Sequence, residues 1–187
     1  AYQPYLMVKD SMRYYKMSRP FTQLRYANGS EEEQIFQLMH SQNIGEGLNI
    51  SFEYKRITSK GYYLRQLTNH TQFNATYNLH SRNRRFRSRG YFLINNIESQ
   101  ENGGVVISDN EEENDNTVLL DINLNSAQNR NRTQSVGTVN TYDLWMRDSS
   151  YLILGFTHEL NRSISFRNYQ DIYSGSEAFY TSFFIDS

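Results

Sequence analysis

Leu48, Ile50, Phe52 and Tyr54 alternate strictly with Asn49, Ser51, Glu53 and Lys55. In a strand successive side chains point to opposite faces, so this segment predicts a strand with one apolar and one polar face. The same period governs Phe73, Ala75, Tyr77 and Leu79 against Asn74, Thr76, Asn78 and His80, and Leu120, Ile122 and Leu124 against Asp121, Asn123 and Asn125. Leu152, Leu154, Phe156 and His158 oppose Tyr151, Ile153, Gly155, Thr157 and Glu159, while Tyr142, Leu144 and Met146 oppose Thr141, Asp143 and Trp145. Further strands are predicted around residues 22–26, 34–40, 84–95, 163–169 and 178–185. Period two therefore dominates the chain. A helix competes only over residues 30–39, where Ser30-Glu31-Glu32-Glu33 has the form of a capping box. The strand is preferred there because Phe36 and Leu38 also share a strand face.

Turn residues punctuate these segments. Asn28-Gly29, Gly45-Glu46-Gly47, Ser59-Lys60-Gly61, Asn161-Arg162 and Ser174-Gly175 lie between strand candidates and predict antiparallel hairpins. Residues 99–116 and 125–137 are instead long, polar and rich in Asn, and read as connections. Short turns at one end and longer polar connections at the other are the layout of a transmembrane β-barrel, and about eleven residues at roughly 3.3 Å, tilted by roughly 45°, cross its apolar band of about 25 Å. Tyr62-Tyr63, Tyr91-Phe92, Tyr14-Tyr15 and Phe183-Phe184 fall near predicted strand ends, where an interfacial aromatic girdle belongs. A soluble β-sandwich with its aromatics in the core has the same alternation, so the pattern alone leaves both architectures open.

Composition narrows the classes. A length of 187 residues fits one domain with a sizeable core, and 37% hydrophobic residues would be low but for an aromatic share of 14%, which a disordered chain lacks. Lys+Arg 19 against Asp+Glu 20 gives a net charge of -1, which argues against a nucleic-acid binder held by bulk charge. With Cys 0 there is no disulfide framework, thiolate metal site or cysteine nucleophile. No segment approaches the roughly 20 apolar residues of a spanning helix, and the best run, residues 151–156, has strand length. Any membrane crossing must be made by strands.

Several short motifs occur in a fixed order: Pro20-Phe21-Thr22, Gly29-Ser30, Glu33-Gln34 with Phe36, His40 with Gln42-Asn43-Ile44, and Glu101-Asn102-Gly103-Gly104. Over about residues 19–104 this order resembles the putative porin family of Bacteroidota outer membranes. The resemblance implies an all-β antiparallel outer-membrane barrel, or a large part of one, that serves passive passage of polar solutes. The barrels of that family are usually longer, and the end at Phe183-Phe184-Ile185-Asp186-Ser187 lacks a terminal aromatic, so residues 1–187 read as a single but incomplete barrel domain. The alternatives are a non-conducting outer-membrane barrel that joins a larger surface or secretion assembly, and the soluble β-sandwich binding module. The expected partners are outer-membrane lipid and lipopolysaccharide, with other outer-membrane or secretion proteins on the second reading; nucleic acid is not expected.

The candidate site residues are charged. Arg85, Arg87 and Arg89 fall on one strand face, opposite Phe86, Ser88, Gly90, Phe92 and Ile94. An arginine facing lipid near the midplane costs roughly 2–4 kcal/mol, which favours the lumen, where a basic ladder would attract anionic solutes. Pairing with acids of neighbouring strands, or contact with lipopolysaccharide outside, is the competing expectation. Glu53 and Lys55 are further pore-lining candidates on the polar face of their strand. Asp109, Glu111, Glu112, Glu113 and Asp115 form an acidic loop without the glycine or spacing of an EF-hand, and read as a solvated surface. His40, His70, His80 and His158 have no metal-ligand spacing. No nucleophile elbow, P-loop or dinucleotide fingerprint is present, so no catalytic residue, metal or cofactor is expected.

Overall fold

The structure is a computed structural model; it describes residues 6–30, 32–106, 120–148, 151–172 and 180. Seven strands form one sheet in chain order: β1 (Phe21–Asn28), β2 (Gln34–Ile44), β3 (Leu48–Ser59), β4 (Thr68–His80), β5 (Phe86–Gln100), β6 (Gln128–Asp148) and β7 (Tyr151–Gln170). Every neighbouring pair is antiparallel, and β1 and β7 form the two edges. The sheet is an open meander, as part of a barrel wall is. The turns after β2 and β4 are short, whereas the connection from β5 to β6 is the long one and lies at the opposite end, as the punctuation predicts.

Register settles which side chains share a face. The row Leu24, Leu38, Tyr54, Phe73 and Ile94 runs across β1 to β5 on one face, and the rows Glu53, Asn74 and Leu93 and Ser51, Thr76 and Tyr91 run across β3 to β5 on the other. In a soluble sheet the apolar row would be covered. Here the apolar face is open to the surroundings even in the inner strands, with Ile50 38%, Phe92 40% and Val136 51% exposed, while Ser41 is 0% and Asn95 1% exposed on the polar face. The distribution is inverted: polar inside, apolar outside. That inversion is stable only where the apolar face meets lipid, which distinguishes a membrane barrel wall from a sandwich half.

The outward apolar band also slants. The row through Ile94 meets polar Gln134 in β6, whereas Tyr142 lies opposite Phe86, toward the short-turn end. With strands about 4.8 Å apart and tilted roughly 35–45°, a level line shifts by about one residue per strand. The band drifts in this way from Leu24 in β1 to Tyr142 in β6 and Phe156 in β7.

Two tyrosines lie across glycines and pin the register from both faces. Tyr77 crosses Gly90 on the outward face and its hydroxyl reaches Thr138 at 2.8 Å and Ser88 at 3.1 Å. Tyr91 crosses Gly137 on the inward face and donates to Asn161 Oδ1 at 2.7 Å. Each glycine leaves room for the ring: a Cβ would sit 2.4 Å from Tyr77 Cε1 at Gly90 and 2.5 Å from Tyr91 Cε1 at Gly137.

Four local expectations need correction. Residues 128–137 belong to β6 rather than to a connection; from Gln128 to Ser135 they carry polar side chains on both faces, so alternation is silent there. Residues 120–125 belong to the β5–β6 connection, where the bridge Val105↔Ile122 and hydrogen bonds of Asp121, Asn123 and Leu124 to residues 102–106 hold them. Their alternation reflects Ile122 and Leu124 turning into that connection's own small buried cluster. Asn161-Arg162 is no turn, because β7 runs through it. Tyr91-Phe92 lies mid-strand, and outward aromatics instead occupy both borders of the band, with Tyr26 and Phe36 at one and Tyr142 and Phe156 at the other. The competing helix over 30–39 does not form; β2 begins at Gln34. The segment 178–185, apart from Tyr180, and the pair Phe183-Phe184 fall outside the described residues, as do Ser174-Gly175 and the whole acidic loop.

Candidate functional site

The polar face is the candidate site, and it is not bare. Residues 7–17 cross it from β5 to β2 without joining the sheet. A segment outside a ladder must find other partners for its peptide groups, and inward-facing amides and hydroxyls supply them. Asn95 clamps Met7 with two bonds, accepting from its N–H at 3.1 Å and donating to its carbonyl at 2.8 Å. Thr76 donates to Arg13 O at 3.0 Å, Asn78 to Tyr15 O at 3.4 Å, and Asn43 to Met17 O. Gln72 in turn donates to Asn95 Oδ1 at 3.1 Å, which fixes the amide that holds Met7. The Asn and Thr at every second position of β4 thus form a seat for a strap of backbone.

The structure separates the three arginines. Arg85 lies in the turn ahead of β5, and its carbonyl accepts from Asp143 N–H at 2.8 Å. Arg87 faces inward and pairs with Asp143 at 2.9 Å, where the carboxylate is buried and the guanidinium half exposed. Arg89 faces the same way and lies 5.5 Å from the ring centre of Tyr14 in the strap. Glu53 and Lys55 also point inward, in line with the alternation of β3. Glu53 accepts from Gln37 at 2.6 Å and from Asn74 at 3.4 Å, whereas Lys55 stands opposite Gln72.

Lys9, on the strap, pairs with Glu159 of β7, and that hydrogen bond raises the ammonium above its ordinary value. Burial likewise raises the Tyr14 phenol, against the opposing pull of Arg89. Lys9, Tyr14, Arg89, Tyr91 and Glu159 surround a cleft of about 400 Å³ between strap and wall. Glu53 and Glu159 stand on β3 and β7 with different partners, so they do not meet as an acid/base pair. Among the described residues no group of His, Asp and Glu is placed to hold a metal ion. His40 bonds Thr22 at 2.7 Å and packs on Phe52, on the outward face.

Chemically, this face offers a polar surface on which Arg87 and Lys9 are paired with acids, rather than a continuous basic ladder. The sequence reading singled out its charges and missed the strap. The available signal was the row Asn74, Thr76, Asn78 and Asn95, whose amides and hydroxyl exceed what a solvated wall needs.

No curated protein and no solved structure gives a significant match. A family model described as "Putative porin" matches residues 1–186, which extends the resemblance read over residues 19–104 to nearly the whole chain. An inward polar face, an outward apolar band and a full-length family match agree, and the chain belongs to the putative porin family.

Proposed function

We propose that this chain forms part of the wall of an outer-membrane pore through which small polar solutes pass passively, and that residues 7–17 narrow the path. The observation that carries the reading is the inverted distribution of polar and apolar side chains across the sheet. Family membership supports an outer-membrane location and a role without enzymatic chemistry. Arg87, Arg89, Glu53 and Lys55 line the path on this reading, and the balance of Arg87 by Asp143 and Lys9 by Glu159 favours weak charge selectivity. A second reading, a sealed barrel serving as a surface or secretion scaffold, draws support from the strap itself.

Single-channel recording in planar bilayers separates the two. Stepwise conductance is expected, and a correctly assembled barrel that stays electrically silent would establish the sealed reading instead. Asn95→Ala removes both bonds to Met7, each worth about 1 kcal/mol, and should raise mean conductance or its fluctuation by loosening the strap.

The ion pair gives a signed prediction. Asp143→Asn leaves Arg87 uncompensated and should move the reversal potential toward anion preference, whereas Arg87→Gln should move it toward cations. Identical reversal potentials in both variants would remove Arg87 from the path.

A further inference from the structure

We infer that the outward face beside the long β5–β6 connection carries a binding site for a phosphorylated lipid head group, centred on Arg130 and Arg132. The inference rests on the membrane-wall reading and adds a ligand to it.

Charge on the outward face is confined to one end. Where the strands pair in regular register, the outward-facing charged residues are Arg56, Glu98, Arg130, Arg132 and Arg162. None lies beyond the Val136–Arg162 pair toward the short-turn end, where Tyr142 and Phe156 stand. Arg162 still lies within the apolar band, with Ile164 and Phe166 farther out on β7. Arg56, Arg130 and Arg132 against Glu98 leave a positive surplus at the long-connection end, at the depth where lipid head groups lie. In an outer-membrane barrel the end with longer connections faces the cell exterior, so the leaflet concerned is the outer one.

A groove of about 570 Å³ gives this surplus a shape. Ile94 and Phe166 line it together with Arg130, Arg132, Glu98 and Asn168. Glu98 accepts from Arg130 Nε at 2.8 Å, which holds that guanidinium over the groove. Gln134, with its amide oxygen turned toward Arg132, accepts from Nη2 at 2.9 Å and Nε at 3.1 Å. Both forks are thereby oriented while retaining further N–H groups, and planar forks of this kind match phosphate oxygens. The apolar residues suit the first part of an acyl chain. A zwitterionic head group would bring its own cation against this surplus, so a glycolipid bearing phosphate monoesters fits better.

The test measures binding of lipid A, phosphorylated and dephosphorylated, to the intact protein assembled in phosphatidylcholine vesicles. Phosphorylated lipid A should bind more tightly, and Arg130→Gln with Arg132→Gln should weaken it by about 25-fold, about fivefold for each charge removed near a membrane surface. Glu98→Gln should tighten it, because one opposing charge is lost. Arg132→Lys, which keeps the charge and loses the planar fork, should bind between the parent and Arg132→Gln, which separates loss of charge from loss of structure. Inorganic phosphate should not compete, as it lacks the acyl chains. Equal binding of the two lipid A forms, or unchanged affinity in the double variant, would overturn the site while leaving the wall reading intact. Failure of the wild-type protein to become protease-resistant in vesicles would overturn both.

Discussion

Leu24→Arg should prevent or strongly reduce assembly into vesicles, whereas Gln23→Arg, one residue away, should assemble almost normally. Both side chains are exposed on β1, so in a water-soluble protein each change would fall within about 0.5 kcal/mol of neutral. They face opposite ways: Leu24 pairs in register with Leu38 on the apolar row, and Gln23 with Met39 on the polar face. If the apolar face meets lipid, an arginine near the midplane costs roughly 2–4 kcal/mol, which shifts the assembled fraction by about one and a half to three orders of magnitude. The measurement is the heat-modifiable band on a cold gel together with protease resistance in vesicles. Equal behaviour of the two variants would point to water on both sides. Ile50→Arg should follow Leu24→Arg. Ser51 makes a poor control, because it is buried with its hydroxyl 2.6 Å from that of Thr76.

The second large effect is expected at Gly137. Valine there would place Cβ 2.5 Å from Tyr91 Cε1 and 3.1 Å from its hydroxyl, so the ring must leave its place across β6. The displaced hydroxyl then loses Asn161 at 2.7 Å and Ser135 at 3.2 Å, which together with overpacking should destabilise the wall by about 2–4 kcal/mol. Denaturant unfolding from micelles or vesicles measures it. The mechanism predicts strong coupling, so Gly137→Val should cost much less in a Tyr91→Ala background. Additive costs in that double-mutant cycle would mean that the glycine serves the backbone rather than the ring.

Most strands were legible because lipid imposes the alternation. Wherever a strand passes through the apolar band, as at Leu48 to Lys55 or Phe73 to His80, one face must be apolar and the sequence carries the period. Where β6 leaves the band, Gln128, Arg130 and Arg132 on one face and Asn129, Asn131 and Thr133 on the other are all polar, and the same backbone pairing leaves no periodic trace. The misreading of Asn161-Arg162 as a turn has a related cause. Arg162 interrupts the outward row near its border, and a polar pair inside a strand looks like punctuation.

The candidate site was legible by its charges and not by its partners. Arg87, Arg89, Glu53 and Lys55 face inward as the alternation implies. The pairing of Arg87 with Asp143 joins residues of β5 and β6 across the long connection, and local pattern cannot supply it. The strap was hidden for a different reason. Residues 7–17 carry no strand period, because their peptide groups bond to side chains of the wall or, around the 3-10 turn Lys9–Ser11, to one another rather than to a ladder.

The seven-strand meander also carries a sense of direction. Alternate strands run opposite ways, so β1 and β7, first and last of an odd number, point the same way. Joining those two edges directly would create a parallel seam in an otherwise antiparallel ring. An antiparallel closure therefore requires an odd number of further strands between them. Among the described residues no strand pairs with the outer edge of β7, and the part of its 20 residues inside the apolar band carries peptide groups that hydrocarbon requires to be paired. Entry of this wall into the bilayer is thus coupled to pairing at β7, and the strand that docks there must run antiparallel to it.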